Sequence, residues 1–199
     1  MAPKIDNRAK LTPKGGYSLP FGGPGAALQR TKGLMFPYTP NISVSHQVDY
    51  SRFDLVHTNY QQNSYSMTRN PDIQVTGTFV SQTPEEAAYT VGAIHFLRVM
   101  SKMNFGINDD DRGTPPPVCL FSAYGAYNFA KVPVLIGGFQ FVYEDGVDYV
   151  TVVTAGQTVQ IPVLMTISIT LLAQYSPEKQ NDFSLAKFAS GEGYSEGFL

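Results

Sequence analysis

The sequence has no tryptophan, a single cysteine and little charge: Asp, Glu, Lys and Arg make up 15% of its 199 residues, against roughly 25% in ordinary globular chains. That composition excludes a disordered polyelectrolyte and a coiled coil. Cys119 has no second cysteine with which to form an internal disulfide. No charged-then-apolar opening reads as a signal peptide, so folding in a reducing cytoplasm is expected. No apolar run approaches the roughly 20 residues needed to cross a bilayer, so a soluble chain with no membrane partner is expected. Glycine motifs of the Walker or dinucleotide type are absent, and no cofactor is expected.

The chain does contain 13 Phe, 12 Tyr, 18 Gly and 14 Pro, the composition of strands and turns with many uncharged surfaces. Such surfaces belong in assemblies. The net charge of -2 is unevenly spread. Residues 1–32 hold six cations against Asp6 alone, a net of +5, which leaves eight cations and fifteen acids, or -7, for the rest. A basic segment precedes an acidic body.

Three regions follow. Residues 1–40 contain six Pro and six Gly with no helical or strand period, and read as an extended arm. It is either a disordered tail, a segment lying on a neighbouring subunit, or a nucleic-acid-binding arm; Tyr17, Phe21 and Phe36, with Leu19, Leu34 and Met35, are its candidate anchors. Residues 41–176 form the body. Ile42, Val44, His46, Val48 and Tyr50 alternate with polar residues as in a half-buried strand, and Ile73, Val75, Gly77 and Phe79 do the same after the Asn70-Pro71 turn. Between them, the polar and aromatic stretch through Tyr60, Tyr65 and Met67 fits a hairpin or a long loop. Thr83-Pro84-Glu85-Glu86 combines an N-cap, a proline at the first helical position and a capping-box glutamate, which predicts a helix over 84–103 closed by Gly106. Its apolar face is Tyr89, Ala93, Phe96, Leu97, Met100 and Met103; its polar stripe is His95, Arg98 and Lys102. This is expected to be the one long helix. Beyond a proline-bearing loop, Val118–Ser122 is a short strand. Val132, Val134 and Ile136 share a face that slips to Phe139, Phe141 and Tyr143, so a bulge is expected at Gly137-Gly138. After the acidic turn Glu144-Asp145-Gly146-Val147-Asp148, a strand runs from Val147 to Val153. Ile161–Tyr175 reads as one long strand, with Met165, Ile167, Ile169 and Leu171 toward a core and Thr166, Ser168 and Thr170 opposite. Residues 177–199 are a polar tail with Phe183, Leu185, Phe188, Phe198 and Leu199 as docking anchors.

Catalytic and metal chemistry find little support. Gly193-Tyr194-Ser195-Glu196-Gly197 has the spacing of a serine hydrolase elbow, but no acid and histidine follow it in the order that motif requires. His46, His57 and His95 lack zinc-ligand spacing, and the consecutive Asp109-Asp110-Asp111 do not converge as the alternating ligands of a calcium loop do. No catalytic, metal or cofactor residue is assigned, and an enzyme is not expected. The neutral residues Thr166, Ser168 and Thr170, beside Glu144, Asp145 and Asp148, suit a surface past which a polyanion moves without sticking.

The order of elements, from Asn70-Pro71-Asp72-Ile73-Gln74-Val75-Thr76-Gly77 through the capped helix to the strands 132–143 and 161–175 around the acidic turn, resembles the tail-tube fold of contractile-tailed bacteriophages. It is most similar to the tube initiators at the baseplate-to-tube junction. The resemblance covers roughly residues 42–176. It implies a mainly β, sandwich-like domain flanked by one helix, six copies of which pool their long strands into a hexameric β-barrel in the virion tail, assembled in the host cytoplasm. Thr166, Ser168, Thr170, Glu144, Asp145 and Asp148 would face its lumen. Genomic DNA would pass through without specific binding, and the ring would contact tail-tube or baseplate hub rings. A main tail-tube subunit and another β-rich virion protein are the alternative readings.

Overall fold

A computed structural model describes residues 7–15, 22–105, 112–125 and 127–199. The protein is mainly β. In chain order the strands are β1 (Lys10–Pro13), β2 (Leu34–Met35), β3 (Asn41–Ser45), β4 (Val48–Phe53), β5 (Gln62–Thr68) and β6 (Asp72–Val80), followed by helix α1 (Pro84–Met100). Next come β7 (Cys119–Ala123), β8 (Phe129–Tyr143), β9 (Tyr149–Thr154), β10 (Gln157–Pro162) and β11 (Leu164–Ala173), and then the short helices α2 (Pro177–Asn181), α3 (Leu185–Ala189) and α4 (Glu192–Ser195). Seven strands form one antiparallel sheet in the order β2-β1-β7-β8-β11-β6-β3. The pairs β4-β5 and β9-β10 are separate two-stranded ribbons. Instead of the two large packed sheets expected of a sandwich, one sheet carries most strands and α1 helps to cover it.

Helix α1 starts as the sequence dictates. The Thr83 hydroxyl accepts from the Glu86 N–H (3.3 Å), and the Glu86 carboxylate accepts from the Thr83 N–H (3.1 Å), which closes the capping box. The helix ends at Met100, short of the expected 103. Met103 therefore lies beyond it and is exposed; Gly106 lies outside the described residues. Ala93, Phe96, Leu97 and Met100 are buried against the sheet's apolar face, which presents Ile73, Val75, Phe79, Phe121, Val132, Val134, Met165 and Ile167. Beside the one long helix expected, the tail read as polar with docking anchors forms three short helices. There Phe198 is buried in a stack on Tyr175, with ring centroids 5.3 Å apart, and Leu185 remains exposed.

Over its described residues, 7–15 and 22–40, the N-terminal region is not the extended arm expected for 1–40. Strand β1 is inserted between β2 and β7, and Leu11, Leu28, Leu34 and Phe36 are buried in the main core. A 3-10 turn over Gly23–Leu28 packs on α1. The Tyr89 hydroxyl locks this region to the helix: it donates to the Met35 carbonyl (2.9 Å) and accepts from the Met35 N–H (2.8 Å). Phe36 lies over Gly77, where a Cβ would overlap its ring; a glycine inside a strand marks such a close approach. Tyr17, Leu19 and Phe21 lie outside the described residues.

Two long strands also divide. The alternation over 42–50 breaks after Ser45, so Val48 and Tyr50 belong to the separate ribbon, which settles the hairpin-or-loop alternative as a hairpin. The expected strand 161–175 breaks at Val163, whose N–H donates to the Asp148 carbonyl (2.8 Å) and whose carbonyl accepts from the Ser81 N–H (2.7 Å). Ile161 and Pro162 therefore pair with β9, and β11 alone joins the main sheet. The bulge is where the sequence puts it: Thr170 pairs with Gly138 and Leu171 with Ile136, so Gly137 is the extra residue that restores the phase.

Candidate functional surface

Strand β11 lies between β6 and β8, and its alternation sorts its side chains into two faces. Met165, Ile167, Ile169 and Leu171 are at most 2% exposed and point into the core, as expected. Thr166, Ser168 and Thr170 point the other way and are half-buried by their neighbours. The register builds a surface around them. Thr166 stands between Thr78 and Val142, Ser168 between Thr76 and Gln140, and Thr170 between Gln74 and Gly138. Strand β3 extends the rows, placing Asn41 beside Thr76 and Ser43 beside Gln74. Four strands thus carry a hydroxyl and amide face, on which Thr76 and Ser168 share a hydrogen bond of 3.1 Å.

No lysine or arginine stands in these rows, and carboxylates border them. Glu144 accepts from the Thr166 hydroxyl at 3.2 Å at one end, and Asp72, paired with Leu172, is exposed at the other. Asp145 and Asp148 are exposed in the turn beyond β8; Asp148 accepts from the Tyr149 N–H at 2.7 Å and does not stand in the rows. The site residues read from the sequence were therefore one strand of a wider face. Asn41, Ser43, Gln74, Thr76, Thr78 and Gln140 were missed, although the polar half of the alternation over 41–45, 72–80 and 139–143 was their signal.

The edges around this face are open among the described residues. Strand β7 pairs with β8 only from Phe129 to Val134, and β3 pairs with β6 only from Asp72 to Thr76. Ile136–Tyr143 of β8 and Gly77–Val80 of β6 therefore pair with β11 on one side and with no described strand on the other.

Other candidate chemistry does not converge. His46 and His57 lie in separate connections and His95 on α1, and among the described residues no group of three or more His, Cys, Asp or Glu is placed to hold a metal ion. Asp109, Asp110 and Asp111 lie outside the described residues. Ser195 ends a four-residue helix, with its hydroxyl donating to the Glu192 carbonyl (2.8 Å), which is not the strand-to-helix turn of a hydrolase elbow. Cys119 is fully buried, and burial pushes its thiol up to about 12. No described helix is long and apolar enough to cross a membrane. No protein-family model and no curated protein matches this chain.

Proposed function

We propose that the chain is a structural subunit of a contractile bacteriophage tail, forming a hexameric ring at the baseplate-to-tube junction that templates the tube and lines the DNA channel. The observation that carries this reading is the neutral face on a β8-β11-β6 unit with an open strand edge on each side. Open edges recruit further strands, and joining the β6 edge of one copy to the β8 edge of the next is a heterologous contact that closes into a ring when the rotation permits. A face rich in hydroxyls and amides, without cations and bordered by carboxylates, leaves a passing polyanion nothing to bind. The chain is a scaffold in this reading, with no catalytic step.

The main tail-tube subunit is the second reading. It is favoured by the folding of residues 10–13 and 23–36 into the domain, which leaves less of residues 1–40 to reach the unlike neighbours that a junction ring must contact. One assay tests both. Thr78→Cys and Gln140→Cys in the same chain should give a disulfide ladder that ends at a closed hexamer. A ladder without closure, or no ladder under conditions where the chain assembles, would refute the ring. Long tubes formed by the purified chain alone would replace the junction ring with the tube subunit.

A further inference from the structure

Helix α1 carries opposite charges at its two ends. Glu85 and Glu86 stand in its first turn and Arg98 in its last, with Lys102 just beyond. The Glu86 carboxylate is committed to the capping box, but Glu85, Arg98 and Lys102 are exposed, and none of these three has an ion-pair partner among the described residues. Arg98 and Lys102 line a groove of about 670 Å³, to which no described Asp or Glu contributes. Each end of the helix therefore presents a charge that its own chain leaves unmatched.

Two contacts fix where those ends lie. The Thr90 hydroxyl shares a hydrogen bond of 2.9 Å with that of Ser81, one residue past the end of β6, and the Arg98 guanidinium stands 6.0 Å from the ring centre of Phe141 on β8. The eight residues between them rise about 12 Å, and the two strand spacings from β6 across β11 to β8 measure about 10 Å. The helix therefore crosses the strands from β6 to β8. Five residues before Thr90, Glu85 overhangs β6 by about 7.5 Å on the side away from β8. That is the side of the open edge Gly77–Val80, and Arg98 stands at the other open edge, Ile136–Tyr143.

These are the two edges that meet between copies in the ring. Strands β6 and β8 both run antiparallel to β11, so among identically oriented copies β6 of one lies parallel to β8 of the next, with the C-terminal ends of both strands together. A strand spacing of about 5 Å is shorter than the overhang, so the first turn of one helix reaches the neighbour's β8 and the cations beside it. We propose that Glu85 of one copy pairs with Arg98 of the next, flanked by Lys102, so that the α1 helices follow one another head to tail around the ring. The inference rests on the ring reading and adds what the strand joint lacks. Pairing between polar strands specifies register weakly, and a charge pair beside it favours one register.

Two experiments on the full-length chain test it. Glu85→Cys and Arg98→Cys in the same chain, under mild oxidation, should give a disulfide ladder at least ten-fold above that of Glu85→Cys with Leu185→Cys, a control position exposed in the tail. In the Thr78→Cys, Gln140→Cys background, Glu85→Lys and Arg98→Glu should each lower the yield of closed hexamer at least ten-fold, because a loss of about two- to five-fold at each exposed joint is compounded around the ring. Both reversals in one chain should restore the yield. A role confined to the helix predicts the opposite: each reversal opposes the macrodipole, so the double variant would be the worst of the three. Closure through 78 and 140 with no excess of the 85–98 disulfide over the control, or with no restoration by the double reversal, would overturn this contact and leave the ring standing. A ladder through 85 and 98 without one through 78 and 140 would keep the helix contact and remove the strand-edge joint; the absence of both ladders would remove both.

Discussion

Ile167 and Ser168 are adjacent in the chain and stand on opposite faces of β11, one 0% exposed and the other within the neutral rows. An aspartate at 167 is buried without a partner, so Ile167→Asp should cost at least about 3 kcal/mol, a large part of an ordinary domain's stability. Ser168→Asp should cost no more than about 1 kcal/mol. Thermal or urea melts of the two variants measure the difference; equal losses would invert the face assignment. Gly77 is a second sensitive position. Gly77→Ala drives a methyl into the Phe36 ring and should cost about 1–3 kcal/mol by overpacking, whereas Gly77→Ala combined with Phe36→Leu should recover part of that loss. Cys119 adds a pH dependence. Its thiol stays protonated in the folded chain up to about 12 but ionises in the unfolded chain from about 9. Above that lower value the unfolded state binds fewer protons, so stability falls as pH rises, by about 1.4 kcal/mol per unit. Urea melts should show a loss of about 1 kcal/mol between pH 9 and 10, approaching the full slope only above that, and Cys119→Ala should lack this contribution.

At the scale of elements, the sequence was most legible where local chemistry and tertiary context agree. The capping box fixed the start of α1, and the phase slip around Gly137 located the bulge, because each is decided within a few residues. Elements decided by partners were not legible. Alternation through His46 and Gln47 says only that the chain is extended, and cannot say that β3 joins the sheet while β4 leaves it for the ribbon. Pro162 was the overlooked signal in the run 161–175: it lacks an N–H and ends β10 just before the break at Val163. The N-terminal region hid its role because Leu11, Leu28, Leu34 and Phe36 are isolated anchors among Pro and Gly, with no period for a pattern to reveal. Its hydrogen bonds give a direct test. The Lys14 N–H donates to the Val118 carbonyl and the Phe36 N–H to the Ala9 carbonyl, both at 2.9 Å. Hydrogen exchange should find these amides protected in the isolated chain; exchange at the rate of the exposed ribbon would restore the picture of a free arm.

At the scale of the molecule, polar groups and charge are sorted by surface. The neutral rows were only partly legible because a single strand supplies Thr166, Ser168 and Thr170, whereas Gln74, Thr76, Asn41 and Gln140 arrive through pairings that no local pattern records. If these rows face a channel for DNA, their neutrality matters more than the identity of any one side chain, and adding charge is the decisive perturbation. Ser168→Lys places a cation in the middle row, repeated around the ring, without touching the core. Assembled wild-type rings should leave a short duplex DNA unbound, whereas Ser168→Lys rings should retain it. Each phosphate engaged should contribute about -0.9 to the slope of log affinity against log salt, so about six contacts would lose about a thousand-fold or more between about 50 and 200 mM salt. Fluorescence anisotropy of labelled DNA measures both. A lysine at Asp145, in the turn beyond the rows, supplies the same charge and should have the weaker effect. If Asp145→Lys retained DNA as strongly as Ser168→Lys, the rows would not be the surface that meets the DNA. If neither retained it in correctly closed rings, the neutral face would look outward, and its absence of cations would have to answer to some other neighbour.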